Sequence, residues 1–291
     1  MEQDFVKLRQ IKPSFAGYIR DAQEMFRTET FPDEDIVHDV RVLMKKARAV
    51  LRLISPQLNE EFAAREKISL REVGRIMSSW RDTSVLRKTL KYLRKNNPGI
   101  FIKLVDNEII ASLMKKMETI VNPEELADVE KIRDILNRSC YRIRFEPMNN
   151  LDANKLLIGL EVTYNRVVKI YVASRNNLRQ KDLHEFRKRS KDFLYQLWFF
   201  RPLNPPVIKK LEKDLDSLTR NLGKYHDLAQ FVSSIGYDYK NDHNDPALNE
   251  LGIIIRNKQD MYLSKVWPIA YKIFCPGQNL TNILGFKLLV I

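Results

Sequence analysis

The chain has 291 residues and carries 50 Lys and Arg against 37 Asp and Glu, a formal net charge of +13. With 44% hydrophobic and 10% aromatic residues it holds enough apolar side chain for a sizeable core, which excludes wholesale disorder. Two cysteines, Cys140 and Cys275, exclude a disulfide framework, and nine glycines are few for a barrel, a sandwich or a dinucleotide fold. Residues 1–15 are charged and lack the apolar stretch of a signal peptide. Apolar residues then recur at helical spacing almost everywhere. Val40, Leu43, Met44, Ala47, Val50, Leu51 and Ile54 form a first stripe, and Phe186, Phe193, Leu194 and Leu197 a second. Leu211, Leu215, Leu218 and Leu222 form a third.

Prolines at 13, 32, 56, 98, 123, 147, 202, 205, 206 and 246 fall at helix starts or ends, and Asn122-Pro123 reads as an N-cap with proline just inside. Residues 161–171 are the one stretch with strand-like alternation, and their helical neighbours argue against it. The predicted fold is all-α, with ten or more helices. Residues 282–291 are apolar but too short to span a bilayer and are interrupted by Lys287, so they are expected to dock as a strand or a last helical turn. A soluble cytoplasmic protein is the expectation.

An internal repeat organises the chain. His38, Arg41 and Lys45 recur as His184, Arg187 and Lys191, each 146 residues on. Upstream, Tyr18-Ile-Arg20 recurs as Tyr164-Asn-Arg166 at the same distance. Downstream, Arg75 and Asp82 recur as Arg220 and Asp227 at 145, a shift that one loop residue explains. A single domain is therefore expected to hold two pseudo-symmetric repeats, 10–146 and 150–275, joined at Pro147-Met-Asn-Asn and followed by a tail over 276–291.

At about 100° per residue, His38, Arg41, Lys45 and Arg48 share one narrow helix face, roughly opposite the apolar stripe. His184, Arg187 and Lys191 lie the same way, with Lys188 beside them. Rows of like charge repel along a helix, so a matched pair of them calls for an anionic ligand. Arg offers a planar fork for phosphate oxygens, Lys a compact charge, and His a donor whose charged form a polyanion favours. Two such helices face to face would form a basic groove between the halves, with Arg75 and Arg220 extending its walls. Arg20 and Arg166 join the candidate set through the repeat register. Asp82 and Asp227 read equally as carboxylates that orient the site cations or as helix N-caps. Affinity is expected to rise as pH falls through the histidine range. Changing Arg41 and Arg187 together to Ala is expected to weaken binding without unfolding the chain.

These residues resemble the CHAD domain, the conserved histidine α-helical domain, whose halves are each led by H-x-x-R-x-x-x-[KR]. Here the pattern runs from His38 through Arg41 to Lys45 and from His184 through Arg187 to Lys191. Leu222-Gly223-Lys-Tyr-His226-Asp227 matches a further motif, with Met77-Ser78-Ser-Trp-Arg81-Asp82 as a weaker first-half copy. The resemblance covers residues 10 to 275 and implies a helical bundle of two halves with a central basic groove or pore. It also implies non-catalytic binding of inorganic polyphosphate, without a cofactor, and association with polyphosphate granules follows from it. Ser78 stands in place of a glycine and Leu194 in place of an arginine, with Asp192 nearby, and these departures bear on affinity.

Other readings use the same residues. General nucleic-acid binding fits the charge, with Trp198, Phe199 and Phe200 as stacking surfaces. A metal-dependent phosphohydrolase would use the dipeptides His38-Asp39 and His226-Asp227, but Arg41 and Lys45 beside His38 would repel the metal. A phosphorelay histidine would need one exposed imidazole, where the repeat supplies two. Monomer and dimer are both compatible with the sequence.

Overall fold

The computed structural model describes residues 5–27, 31–116, 123–237 and 245–285, and among them it contains helices and no strand. In chain order the helices are α1 (Leu8–Met25), α2 (Glu34–Ile54), α3 (Glu60–Ile76), α4 (Ser78–Asn96), α5 (Pro98–Lys103), α6 (Glu108–Lys116), α7 (Pro123–Phe145), α8 (Ala153–Asn177), α9 (Gln180–Leu197), α10 (Pro205–Ser234), α11 (Pro246–Phe274) and α12 (Leu280–Ile283). The strand-like stretch 161–171 lies inside α8. Asn122 and His243 lie outside the described residues.

Local signals explain the starts. The Asp33 carboxylate accepts from the amides of Asp35 and Ile36 at 2.9 and 2.7 Å, which caps α2. Asp152 caps α8 in the same way through Asn154 and Lys155. Asp152 also exchanges hydrogen bonds with Gln57, and Met148 and Leu151 are buried, so the Pro147 joint is docked against the first half.

The sequence halves do not correspond to separate cores. The main core gathers Phe15, Met44, Tyr164, Phe186, Phe193, Leu215 and Phe274, from α1, α2, α8, α9, α10 and α11. A second cluster packs Leu93, Ile100, Leu104 and Ile110 from α4–α6 against Leu228, Phe231, Leu251 and Ile255 from α10 and α11. Both clusters therefore cross the predicted boundary. The segment read as a tail enters the main core through Leu280 and Leu284. Trp198, Phe199 and Phe200, weighed as stacking surfaces, serve packing instead: Phe199 and Phe200 are fully buried, and Trp198 packs against the same core.

Helices α2 and α9 lie side by side at the centre, and the buried Gln196 amide of α9 donates to the Ala49 carbonyl of α2 at 2.9 Å. This pairing sets the two basic rows next to one another.

One buried charge lies apart from the basic rows. Glu66 of α3 is wholly buried, and Arg142 of α7 donates to it and to Ser69 and Ser139. Burial pushes the Glu66 carboxyl up, and Arg142 opposes this. Arg142→Met should destabilise the protein by about 3 kcal/mol, because it strands a buried carboxylate. Glu66→Gln should cost less, since it removes the charge with its demand. Urea melts of the two variants check the order, and equal midpoints would contradict it.

Candidate anion-binding site

A cavity of about 1550 Å³ opens over α2, α3, α4, α9 and α10. Its lining includes His38, Arg41, Lys45, Arg48 and Arg75 from the first half and His184, Arg187, Lys188, Lys191 and Arg220 from the second. Asp82 and Asp227 line it as well. Two of the candidates do not. Arg20 is exposed on α1, near Cys140 of α7. Arg166 is exposed on α8, on a smaller cavity of about 290 Å³ with Lys155, Ile158 and Val162. What recurs at Tyr18 and Tyr164 is a packing tyrosine: Tyr164 is fully buried and donates to the Ile273 carbonyl, and Tyr18 packs against the same core. The arginine two residues on points away.

The two leading arginines are held alike. Arg41 Nη1 donates to the Gly74 carbonyl at 2.7 Å, and Arg187 Nε donates to the Thr219 carbonyl at 3.3 Å. Gly74 and Thr219 are 145 residues apart, the register of the Asp82 and Asp227 pair. Gly74 lies in the last turn of α3, where carbonyls run short of donors and a cation is favoured. Gly223 lets Arg187 lie flat on α10, because a Cβ there would stand 3.1 Å from Nε. Its counterpart Ser78 opens α4, and the first-half helix breaks at Met77 where α10 runs on unbroken.

Neither aspartate is a helix N-cap, since Asp82 sits within α4 and Asp227 within α10. Arg81 reaches both, at 3.6 Å to Asp82 and 3.4 Å to Asp227, and so ties α4 to α10. Asp82 opposes the lowering of Arg41's pKa, and Asp227 that of Arg187. Arg81 is absent from the sequence-derived set. Its signal was the register itself: Arg81 and His226 are 145 apart, but differ in residue type. His226 stacks on His184 with ring centroids 4.3 Å apart.

The rows are not uniformly free. Lys188 pairs with Glu185 at 3.2 Å, and Lys191 with Asp216 at 3.3 Å. At the rim, Arg75 pairs with Glu72 and Arg220 with Asp216. Leu194 packs against the core, and Tyr195 takes the wall beside Lys191. Asp192 is buried and bridges Arg52 of α2 at 2.7 Å to Arg189 at 3.0 Å, so this carboxylate ties α9 to α2.

Electrostatics concentrate on Lys45. Burial first, then the charges of Arg187, Arg41, Arg81 and Arg48, push its ammonium down to about 7. Burial and Arg81 bring Arg41 down to about 10. Burial, His226 and the nearby Lys188 and Arg187 hold His184 down to about 4, and burial with Arg187 and Arg81 does the same for His226. His38 is lowered as well, chiefly by burial. His184 and His226 therefore lie well below the usual histidine range, and among these groups Lys45 is the one brought close to neutrality.

Among the described residues no group of three or more His, Cys, Asp and Glu side chains is arranged to hold a metal ion. His38 and His226 instead face Arg and Lys. No described helix is long and apolar enough to cross a membrane.

Fold and site together define an all-helical protein with a cavity lined by Arg, Lys and His side chains from both halves of the chain. The CHAD domain family model matches residues 18–232, well over half of the chain, and the chain belongs to that family. The match runs from within α1 to the last turn of α10 and takes in both basic rows and both aspartates. A search of the curated proteins finds no match.

Proposed function

We propose that this protein binds inorganic polyphosphate in the basin and does not cleave it. The observation that carries this reading is the placement of Arg41 and Arg187 on adjacent helices, each guanidinium held by a backbone carbonyl and lining the same cavity. Fixed forks lose little entropy on gripping phosphate oxygens. Lys45 and Arg81 lie between them, and Lys188, Lys191, Arg75 and Arg220 would follow the chain outward by exchanging carboxylate partners for phosphate. Neutral His184 and His226 each keep one ring N–H to donate. Burial pushes the Tyr195 phenol up to about 12, so it too stays protonated as a donor.

A competition titration tests the reading. Long-chain polyphosphate, duplex DNA, single-stranded RNA and orthophosphate would compete at near-physiological salt. Polyphosphate should win by orders of magnitude; equal competition by nucleic acid would reduce the basin to a general polyanion surface.

Affinity should also rise as pH falls from 8 to 6. The sign follows from Lys45: the anionic chain favours the charged amine, which is mostly neutral above about 7 and mostly charged below. The gain should be about tenfold, the scale of one charge-assisted hydrogen bond. Lys45→Arg should flatten the profile. Isothermal titration across that range checks it, and an equally steep Lys45→Arg profile would assign the effect elsewhere.

A further inference from the structure

The two walls of the basin come from one repeat but differ in charge. On the first-half wall, Lys67, Arg71 and Arg75 stand four residues apart on α3, so they share one face, and all three line the cavity. Their counterparts in the 145-residue register are Glu212, Asp216 and Arg220. Two cations of the first half are therefore carboxylates in the second. Glu212 is drawn away to Arg201 at 2.7 Å, whereas Asp216 lines the basin.

The ion pairs follow this reversal. Glu185 holds Lys188 and Arg189, Asp192 also holds Arg189, and Asp216 holds Lys191 and Arg220. Lys224, a further cation of that wall, lies over the ring of Tyr262 on α11. On the opposite wall, Arg41, Arg48, Lys67 and Arg71 enter no ion pair among the described residues. Arg41 and Arg48 both reach α3 at Gly74. The first donates to its carbonyl at 2.7 Å, and Nη1 of the second lies 3.6 Å from where a Cβ would stand. From Gly74 to Lys67 the α3 row runs about 10 Å along the helix axis. Glu60, also on the lining, closes its far end.

We propose that the phosphate chain lies against the first-half wall, on a track that starts between Arg41 and Arg187 and runs past Arg48 and Arg71 to Lys67, with the α9–α10 wall a secondary contact. The proposal rests on the basin being a polyphosphate site and names the side chains that hold the chain there. A phosphate that meets Arg48 or Arg71 breaks no ion pair. One that meets Lys188, Lys191 or Arg220 must displace Glu185 or Asp216, and the displaced carboxylate stays close by as a like charge. The track is extended and one-sided, so it favours a linear run of linked phosphates over a compact anion.

Isothermal titration of the full chain with long-chain polyphosphate tests the track. Lys67→Gln with Arg71→Gln, and Lys188→Gln with Lys191→Gln, each remove two positive charges, so the loss of net charge is matched. Lys67 and Arg71 are exposed, and circular dichroism checks that both variants stay folded. The first double variant should bind about tenfold more weakly or worse, and the second at most about threefold. Asp216→Asn should tighten binding, because it frees Lys191 and Arg220. Equal losses from the two double variants, or a greater loss from the second, overturn the inference, as does an Asp216→Asn variant that binds no more tightly than the parent. Intact binding by the parent then shows that the failure belongs to the track alone; a parent that does not bind polyphosphate overturns the basin reading with it.

Discussion

Replacing Lys45 with methionine should raise the melting temperature at pH 7 by several degrees while reducing polyphosphate affinity at least tenfold. The two effects share one cause. Lys45 sits where burial and four guanidiniums disfavour its charge, moving its pKa from 10.5 to about 7. The folded pKa lies below the unfolded one, so the unfolded chain holds the proton more tightly. The resulting destabilisation is fully present below about 7 and disappears as pH rises toward the unfolded value. At face value it amounts to a few kcal/mol, and methionine fills nearly the same volume without the charge. Each kcal/mol moves the midpoint of a chain this size by about 2–4 °C. Calorimetric melts from pH 6 to 10 check the shape. The gap between Lys45→Met and the parent should be widest at the acid end and should close toward pH 10. A variant that melts below the parent throughout would show that Lys45 contributes packing that outweighs its charge.

The second large effect belongs to Arg41 and Arg187. Changing both to Gln should weaken polyphosphate binding about a hundredfold, as two charge-assisted hydrogen bonds are lost. The expectation that both can be removed without unfolding the chain carries a cost in this structure. Each guanidinium donates to a backbone carbonyl, Gly74 or Thr219, and each is largely desolvated. The double variant should therefore lose about 1–2 kcal/mol, with Arg41 the more costly, because Gly74 lies at a helix end where Thr219 lies mid-helix. Denaturant melts beside the titration separate the two losses. Unchanged affinity in a folded double variant would remove the paired arginines from the site.

What could be read in advance follows from how local each signal is. The stripe from Val40 to Ile54 fixes both the helix and its buried face, and every member except Leu43 is fully buried. The two rows were legible because recurrence at constant spacing survives without knowledge of packing. At Arg20 and Arg166 the recurring property with a visible structural role is the core tyrosine upstream, and neither arginine lines the larger cavity. Arg81 enters the sequence reading only inside the weaker motif copy, and its importance arises only when α4 lies against α10. The proton affinities were beyond reach for a related reason. Three of the four guanidiniums acting on Lys45 could be placed near it from sequence, but burial, the leading cause of its shift, is set by helices distant in the chain.

The pairing of α2 with α9 carries a consequence for the order in which the molecule is made. The basin takes its lining from residues as far apart in sequence as His38 and Gln230. Contacts over such separations form late, after local helices and their nearest packing partners. A synthesis intermediate that ends near Pro147 has one basic row and no opposing one. A polyanion that spans both rows, as proposed above, would therefore grip the finished fold in preference to its precursors and add its binding energy to the last docking event. Occupancy of the basin would then be a record that the chain has completed folding.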